Sequence, residues 1–248
     1  MEPPILHPMT TISTHSFGDA SDSDDAFSIR IIENIEEEYG MFVWPCSVVL
    51  AEYVWQQRLR FAGANVLELG AGTSLPGLVA AKVGSNVILS DSSARPEVLS
   101  IETWNSSKIR IHSNHDLLFS WNPQVLTNIR RVCLLNRLEC KIMGLTWGEW
   151  DEPFFSLEPN ILLGADVLYD TKDFADLFAT MAFLLKKTPG SVFITTYHNR
   201  SGHHLIEYLM VKWGLKCAKL VDAFSFMPSY KASGLQGNIQ LVEIMSYQ

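Results

Sequence analysis

No run of apolar residues in this chain comes near the roughly 18 that a membrane span requires, because Glu68, Lys82 and Asp91 interrupt the candidates. Cysteine is scarce as well. Cys46, Cys133, Cys140 and Cys217 are the only four in 248 residues, with no CxxC and no paired histidine spacing. That pattern suggests neither a disulfide framework nor a zinc site, so no metal is expected, and it fits a reducing cytosol or nucleus. Basic residues are outnumbered: 19 Lys and Arg face 27 Asp and Glu, a formal net charge of −8. A general nucleic-acid binder needs clustered cations to neutralise phosphates, so direct nucleic-acid contact is not expected. The excess of carboxylates keeps the surface soluble and also suits a basic partner such as a Lys- or Arg-rich peptide. The stretch "MEPPILHPMTTISTHSFGDASDSDD" has neither a basic n-region nor an apolar h-region and closes on an acidic, serine-rich run. It reads as a disordered tail over residues 1–25 and not as a signal.

What is present is enough apolar material for one core, 47% of the residues, and one domain over 26–248 is the natural count. "AFSIRIIENI" alternates Phe27, Ile29 and Ile31 with polar or small neighbours and reads as a strand, with "EEEYG" as a polar turn and a β-hairpin at this entrance. "PCSVVLAEYVWQQRL" carries Pro45 in its first turn and apolar residues at helical spacing. From there short apolar runs alternate with helical patterns: "NVLEL", "LPGLVAAKV", "NVILS", "QVLTNIRRVCLLN", "CKIMG", "NILLGA", "DFADLFATMAFLLKK", "SVFITTY", "HHLIEYLMVKW". Such a succession means βαβ units and a parallel sheet. "KCAKLV" and "NIQLVEIM" close the chain as an antiparallel pair at the sheet edge, since the loop between them is too poor in helical signal for a crossover.

One segment breaks the rhythm. Between Asp91 and the helix ending near Asn136 lies "IETWNSSKIRIHSNHDLLFSWN", flanked by "PEVLS" and the near-repeat "PQVLT". Strand-to-helix connections usually take about 2 to 6 residues, so the stretch at about 100–126 is predicted to be an insertion or a lid, with Trp104, Phe119 and Trp121 as residues that would cover a site.

The richest motif is "VLELGAGTSLPGLVAAKVGSNVILSDSS". Gly70 and Gly72 let the chain turn sharply and bring its backbone near a ligand, while the following helix aims its first N–H groups at the same spot. Asp91 ends the next strand 21 residues after Gly70, near the ~20 at which an acid meets ribose hydroxyls. A dinucleotide fingerprint would need a third glycine where Leu75 stands. A nucleoside without phosphates is therefore the better ligand.

Taken in order, "VLELGAGTSLPGLVA", "VILSDSS", "GLTWG" and "ILLGADVLYD" resemble the seven-β-strand S-adenosylmethionine-dependent methyltransferases, and within them the protein lysine methyltransferases with a D-x-x-Y motif. The resemblance implies a doubly wound, Rossmann-like α/β fold: a seven-stranded sheet, mostly parallel with an antiparallel C-terminal edge, and helices on both faces. It implies S-adenosylmethionine as cofactor, bordered by Glu68, Gly70 and Gly72 at its methionine part, with Glu68 facing the ammonium end. Asp91 would accept from the ribose hydroxyls, Trp147 would lie against the adenine, and Trp44 would help close the pocket. Asp166 and Tyr169 of the D-x-x-Y would be catalytic, with Tyr197 and Arg200 on the opposite wall and His203 and His204 at the surface. Ser74 departs from the glycine that many methyltransferases carry there. The implied activity is methyl transfer to Lys or Arg side chains of a protein, a histone (including histone arginine) or a chaperone being candidate substrates, by a monomer. A small-molecule methyltransferase, a non-catalytic scaffold and, with least support, an NAD-dependent reductase remain open at this level.

Overall fold

The computed structural model describes residues 10–18, 26–34, 39–92, 123–198 and 203–247. The chain begins with a two-stranded antiparallel ribbon of β1 (Thr10–Phe17) and β2 (Phe27–Asn34), followed by α1 (Pro45–Gln56) and α2 (Arg58–Phe61). An alternating series follows: β3 (Asn65–Glu68), α3 (Leu75–Lys82), β4 (Asn86–Asp91), α4 (Pro123–Asn136), β5 (Lys141–Gly144) and α5 (Glu152–Phe155). It continues through β6 (Ile161–Ala165), α6 (Phe174–Lys187), β7 (Val192–His198) and α7 (His203–Trp213). The C-terminal elements are β8 (Leu215–Asp222), the short α8 (Ser229–Ala232) and β9 (Ile239–Ser246).

The second sheet has seven strands in the order β5-β4-β3-β6-β7-β9-β8. Strands β3 to β7 are mutually parallel, and β9 runs antiparallel to both β7 and β8. Side chains of a strand alternate between faces, and here both faces are covered. Val66, Ile161, Leu163, Val192 and Ile194 join the core under α1, α3 and α4, where Leu50, Leu78, Ile129 and Val132 lie. Leu67, Leu162 and Phe193 join the other core, under α6 and α7, with Leu177, Phe178, Met181 and Leu209. This is the doubly wound α/β architecture read from the motifs. The chain leaves β3 toward β4 on one side and continues from β6 to β7 on the other, so the crevice of the sheet opens at the carboxyl ends of β3 and β6.

Strand β1 lies within residues 1–25, which composition assigns to a disordered tail; the structure corrects that boundary. Composition misses the strand because its stability comes from a partner. Each residue of β1 has its counterpart in β2, from Thr10↔Asn34 to Phe17↔Phe27, and Phe17 is buried. The ribbon is held down by its neighbours: Asn136 on α4 accepts from the Arg30 amide at 2.8 Å and donates to the Arg30 carbonyl at 2.7 Å. Lys231 donates to the Ser16 carbonyl and pairs with Glu52, each at 2.6 Å. The insertion predicted at about 100–126 lies outside the described residues up to residue 122, and α4 starts at Pro123 with the second copy of the near-repeat as its first turn. Among the described residues no helix is long and apolar enough to cross a membrane.

Candidate active site

The crevice is built from strand ends. β3 ends in Glu68, and the turn after it carries Gly70 at φ +58° and Gly72 at φ +49°, a left-handed conformation that glycine adopts without penalty. Space matters as much as torsion. A Cβ on Gly70 would come within 3.1 Å of Trp147 Cζ2 and of Val167 Cγ1, so the indole of Trp147 lies directly against the turn. A Cβ on Gly72 would sit 3.3 Å from the carbonyl of Gly40. The segment through Gly40 is thereby packed onto the turn, and the buried carboxylate of Glu33 fixes its continuation by accepting from the Val43 amide at 2.9 Å. Trp44 follows as the residue capping α1, its ring edge-on to Phe42 at 5.7 Å.

Asp91, half-buried at the end of β4, accepts from the Gly72 amide through Oδ2 at 2.8 Å and from the Ser92 amide through Oδ1 at 2.8 Å. A carboxylate offers about four lone-pair directions, so acceptor capacity remains for ligand hydroxyls. Burial pushes Asp91 above the usual carboxylate range, against the pull of the two N–H donors. Glu68 is almost wholly buried, and its Oε2 accepts from the Gly77 amide at 3.0 Å. Burial, with Asp91 nearby, raises its pKa to about 8. A Cβ on Gly77 would lie 2.4 Å from Glu68 Oε2, so the glycine in "LPGLV" admits this carboxylate into the packing between β3 and α3. Ser74, the cap of α3, has φ 62° and a buried hydroxyl that makes no hydrogen bond among the described residues.

After β6 the chain turns at Asp166, itself at φ +53°, with its amide donating to the Thr196 carbonyl at 2.8 Å. Three residues on, Tyr169 is half-exposed. Partial burial raises its phenol first, and the charges of Asp173, Asp91, Asp170 and Asp166 push in the same direction. Asp91 ends β4 and the D-x-x-Y follows β6, the two strands that flank β3, so both lie at the carboxyl end of the sheet. Thr196 is buried and donates through Oγ1 to the Cys46 carbonyl at 2.8 Å, joining β7 to the start of α1. At the end of β7, His198 brings its ring to Cys46 and Asp166: one ligand-capable atom of each lies within 4.8 Å of the other two.

The structure thus gathers Gly70, Gly72, Asp91, Trp147, Asp166 and Tyr169 around the crevice, with the segment carrying Trp44 packed beside it. Tyr197 is different: it is buried in the core under α6 and α7 and forms no wall. Its strand position explains this, since Thr196 and His198 share one face of β7 and Tyr197 has the other. The same alternation is the signal that would have picked out His198 in "TTYHN". Arg200 lies outside the described residues, and His204 is exposed.

The glycine turn, whose missing Cβ atoms leave the backbone open, and Asp91 with spare acceptor capacity fit a nucleoside cofactor. Comparison with known proteins agrees. The lysine methyltransferase family profile matches residues 23–121. The histone-arginine methyltransferase METTL23 of Xenopus laevis is 41% identical over 194 residues, 77% of this chain and 71% of that protein. Its Homo sapiens counterpart is 38% identical over 182 residues, 73% and 82% of the two chains. The protein N-lysine methyltransferase METTL21A of Mus musculus is 31% identical over 142 residues, 57% and 54% of the two chains. Among solved structures, the magnesium protoporphyrin IX methyltransferase of Synechocystis PCC 6803 with bound SAM superposes with a TM-score of 0.51 at 11% identity, over 79% of this chain and 78% of that one. The 16S rRNA N2 G1207 methyltransferase of T. Thermophilus reaches 0.56 at 14% identity, over 99% of this chain and 52% of that one. At such identities the superpositions speak for the fold alone.

Proposed function

The chain belongs to the lysine methyltransferase family and is an S-adenosylmethionine-dependent methyltransferase, and on that premise we propose that its acceptor is the side-chain nitrogen of a lysine or arginine in a protein, a histone arginine first among them. When bound, S-adenosylmethionine supplies a methyl group on a positively charged sulfur, open to attack by a nitrogen lone pair. In this reading Asp91 holds the ribose hydroxyls, the open backbone at Gly70 and Gly72 receives the methionine part, and Trp147 and Trp44 enclose the adenosine. Glu68, engaged by Gly77, stiffens the turn that does the holding and stands at the end of β3 where the methionine part would lie.

The observation that carries the acceptor assignment is that Asp166 and Tyr169, after β6, and Asp91, at the end of β4, follow the two strands that flank β3. A lysine with a pKa about 10.4 is mostly protonated at pH 7, a cost of about 4.6 kcal/mol before its lone pair is available. Asp166 pairs with that cation as it enters, and the Tyr169 hydroxyl orients the nitrogen. For arginine the planar guanidinium matches a carboxylate, and Asp166 localises charge away from the reacting nitrogen. Orientation of two reactants alone supplies as much as about 7 to 11 kcal/mol in well-organised systems, so a rigid crevice suffices for much of the rate. The formal charge of −8 favours encounter with a basic protein. The names of the relatives support both acceptor types: histone arginine for METTL23 and protein lysine for METTL21A. Such substrates place the monomer's work in the nucleus, the cytoplasm or both.

Incubating histones and matched Lys- and Arg-peptides with isotopically labelled cofactor, followed by mass spectrometry, tests the reading. Label on arginine or lysine nitrogen is expected. Label confined to small molecules in extract, with none in protein, overturns it.

A further inference from the structure

Cys46, Asp166 and His198 come from distant parts of the chain, yet one donor atom of each lies within 4.8 Å of the others. Their backbones are locked around a single residue. Thr196 accepts from the Asp166 amide and donates to the Cys46 carbonyl, both at 2.8 Å, and it stands two places before His198 on the same strand face. The imidazole is walled on its Nδ1–Cε1 edge by Gly237, where a Cβ would fall 2.9 Å from Nδ1. Cys46 itself is fully buried.

We propose that these three side chains form a site for a thiophilic divalent metal ion, zinc above all, and that loading it closes the acceptor crevice. Sulfur, imidazole nitrogen and carboxylate oxygen are the donor types zinc selects, and three protein ligands leave a fourth tetrahedral position open. Bonds of 2.0 to 2.3 Å place tetrahedral ligands about 3.3 to 3.7 Å apart, so the trio needs to contract by only about an ångström. Charge fits as well: one thiolate, one carboxylate and a neutral imidazole cancel the ion's two charges, which matters where burial penalises any net charge. As the sulfur–metal bond forms, the Cys46 thiol gives its proton to solvent; Asp166 and His198 bind through lone pairs, no other bond breaks and nothing is oxidised. Because Asp166 is the carboxylate assigned to the acceptor cation, metal and acceptor compete for it. That last consequence rests on the proposed acceptor role, whereas metal binding does not.

The experiment uses the full chain with Cys133→Ala, Cys140→Ala and Cys217→Ser, which leaves Cys46 as the sole cysteine of the four. Cobalt(II) titration is expected to develop a thiolate-to-cobalt charge-transfer band that saturates at one equivalent and is displaced by zinc. His198→Ala in this background is expected to weaken binding at least tenfold, and S-adenosylmethionine titration confirms that the variant is folded. Absence of the band, or equal affinity with and without His198, overturns the site. With histone or peptide acceptor, zinc is expected to inhibit methyl transfer, and Cys46→Ser in the otherwise native chain to raise the inhibitory concentration at least tenfold. Stoichiometric binding without inhibition overturns the competition while leaving the methyltransferase reading intact.

Discussion

The amide of Gly72 donates to Oδ2 of Asp91 at 2.8 Å, so the glycine turn after β3 and the acid that ends β4 are one unit. The acid shapes the turn that it would share with the ribose. Asp91→Ala is therefore expected to weaken S-adenosylmethionine binding more than tenfold. Hydrogen bonds to a charged acceptor are worth about 1.5 to 3 kcal/mol each, and losing one already exceeds the 1.4 kcal/mol of a tenfold change. Asp91→Asn, which keeps an acceptor for Gly72, should fall between the two. Calorimetry showing the same affinity in all three proteins would remove the ribose assignment.

For Asp166 the informative substitution is asparagine. The residue sits at φ +53°, a conformation that Asn and Asp tolerate and alanine resists, so Asp166→Ala mixes strain with chemistry. Asp166→Asn is expected to cut methyl transfer at least a hundredfold while leaving cofactor affinity within a few-fold. Near-normal turnover would show that the acceptor is held elsewhere.

The strands and helices of the sheet were legible because each is a short apolar run or a helical period, and the order of apolar runs matches the observed elements from "NVLEL" to "NIQLVEIM". The glycine turn and D-x-x-Y were legible for a related reason: βα turns place such residues at strand ends wherever the chain goes next. Strand β1 was not, since "TTISTHSF" has few apolar residues and is fixed by its ladder to β2. Nor was the trio of Cys46, Asp166 and His198, because metal-ligand spacing rules see neighbours along the chain and these meet only where α1 packs against the parallel pair β6 and β7. Tyr197 faces the core because it alternates along β7 with Thr196 and His198, a distinction that the motif alone does not carry.

Ser74 caps α3 at φ 62°, a left-handed conformation that glycine adopts without penalty. A non-glycine residue there costs about 1 to 2 kcal/mol, and glycine gives back roughly 0.5 to 1 in unfolded-chain entropy. Ser74→Gly is thus expected to stabilise the chain by up to about 1 kcal/mol, a rise of a few degrees in Tm by calorimetry. A lower Tm would mean that the buried hydroxyl has a partner worth more than the strain.

Glu68 gives the fold a pH dependence with a defined sign. Its pKa rises from 4.5 to about 8 on folding, so between those values the folded chain keeps a proton that the unfolded chain has lost. The contribution is full below the lower value and is lost as pH climbs through the upper one. Stability measured by urea unfolding should decline from pH 5 to 8, and Glu68→Gln, neutral throughout and still able to accept from Gly77, should flatten that decline. An unchanged slope in the variant would assign the pH dependence to other groups.

The near-repeat "PEVLS" and "PQVLT" leads to a deletion whose outcome the helix itself defines. Removing residues 100–126 joins Leu99 to Thr127 and gives "SDSSARPEVLTNIRRVCLLN". Pro96, Glu97, Val98 and Leu99 then take the places of Pro123, Gln124, Val125 and Leu126. Val125 is buried in the core and Leu126 packs against it, and the substitutes at those two places are again valine and leucine. The first turn of α4 is rebuilt with the same proline and the same apolar pair. From Ser92 to the new first turn three residues remain, within the usual range of about 2 to 6 for a strand-to-helix connection. Loop-closure entropy changes by only about 0.6 kcal/mol per doubling of length, so shortening alone gains little and costs little. The deletion protein is expected to unfold at the same temperature as the full chain or a few degrees above it, and to bind S-adenosylmethionine at least as tightly. If it stays folded and loses the cofactor, the segment contributes residues to the crevice and is a lid; if it fails to fold, the rebuilt turn does not reproduce the packing of Val125 against Gly40.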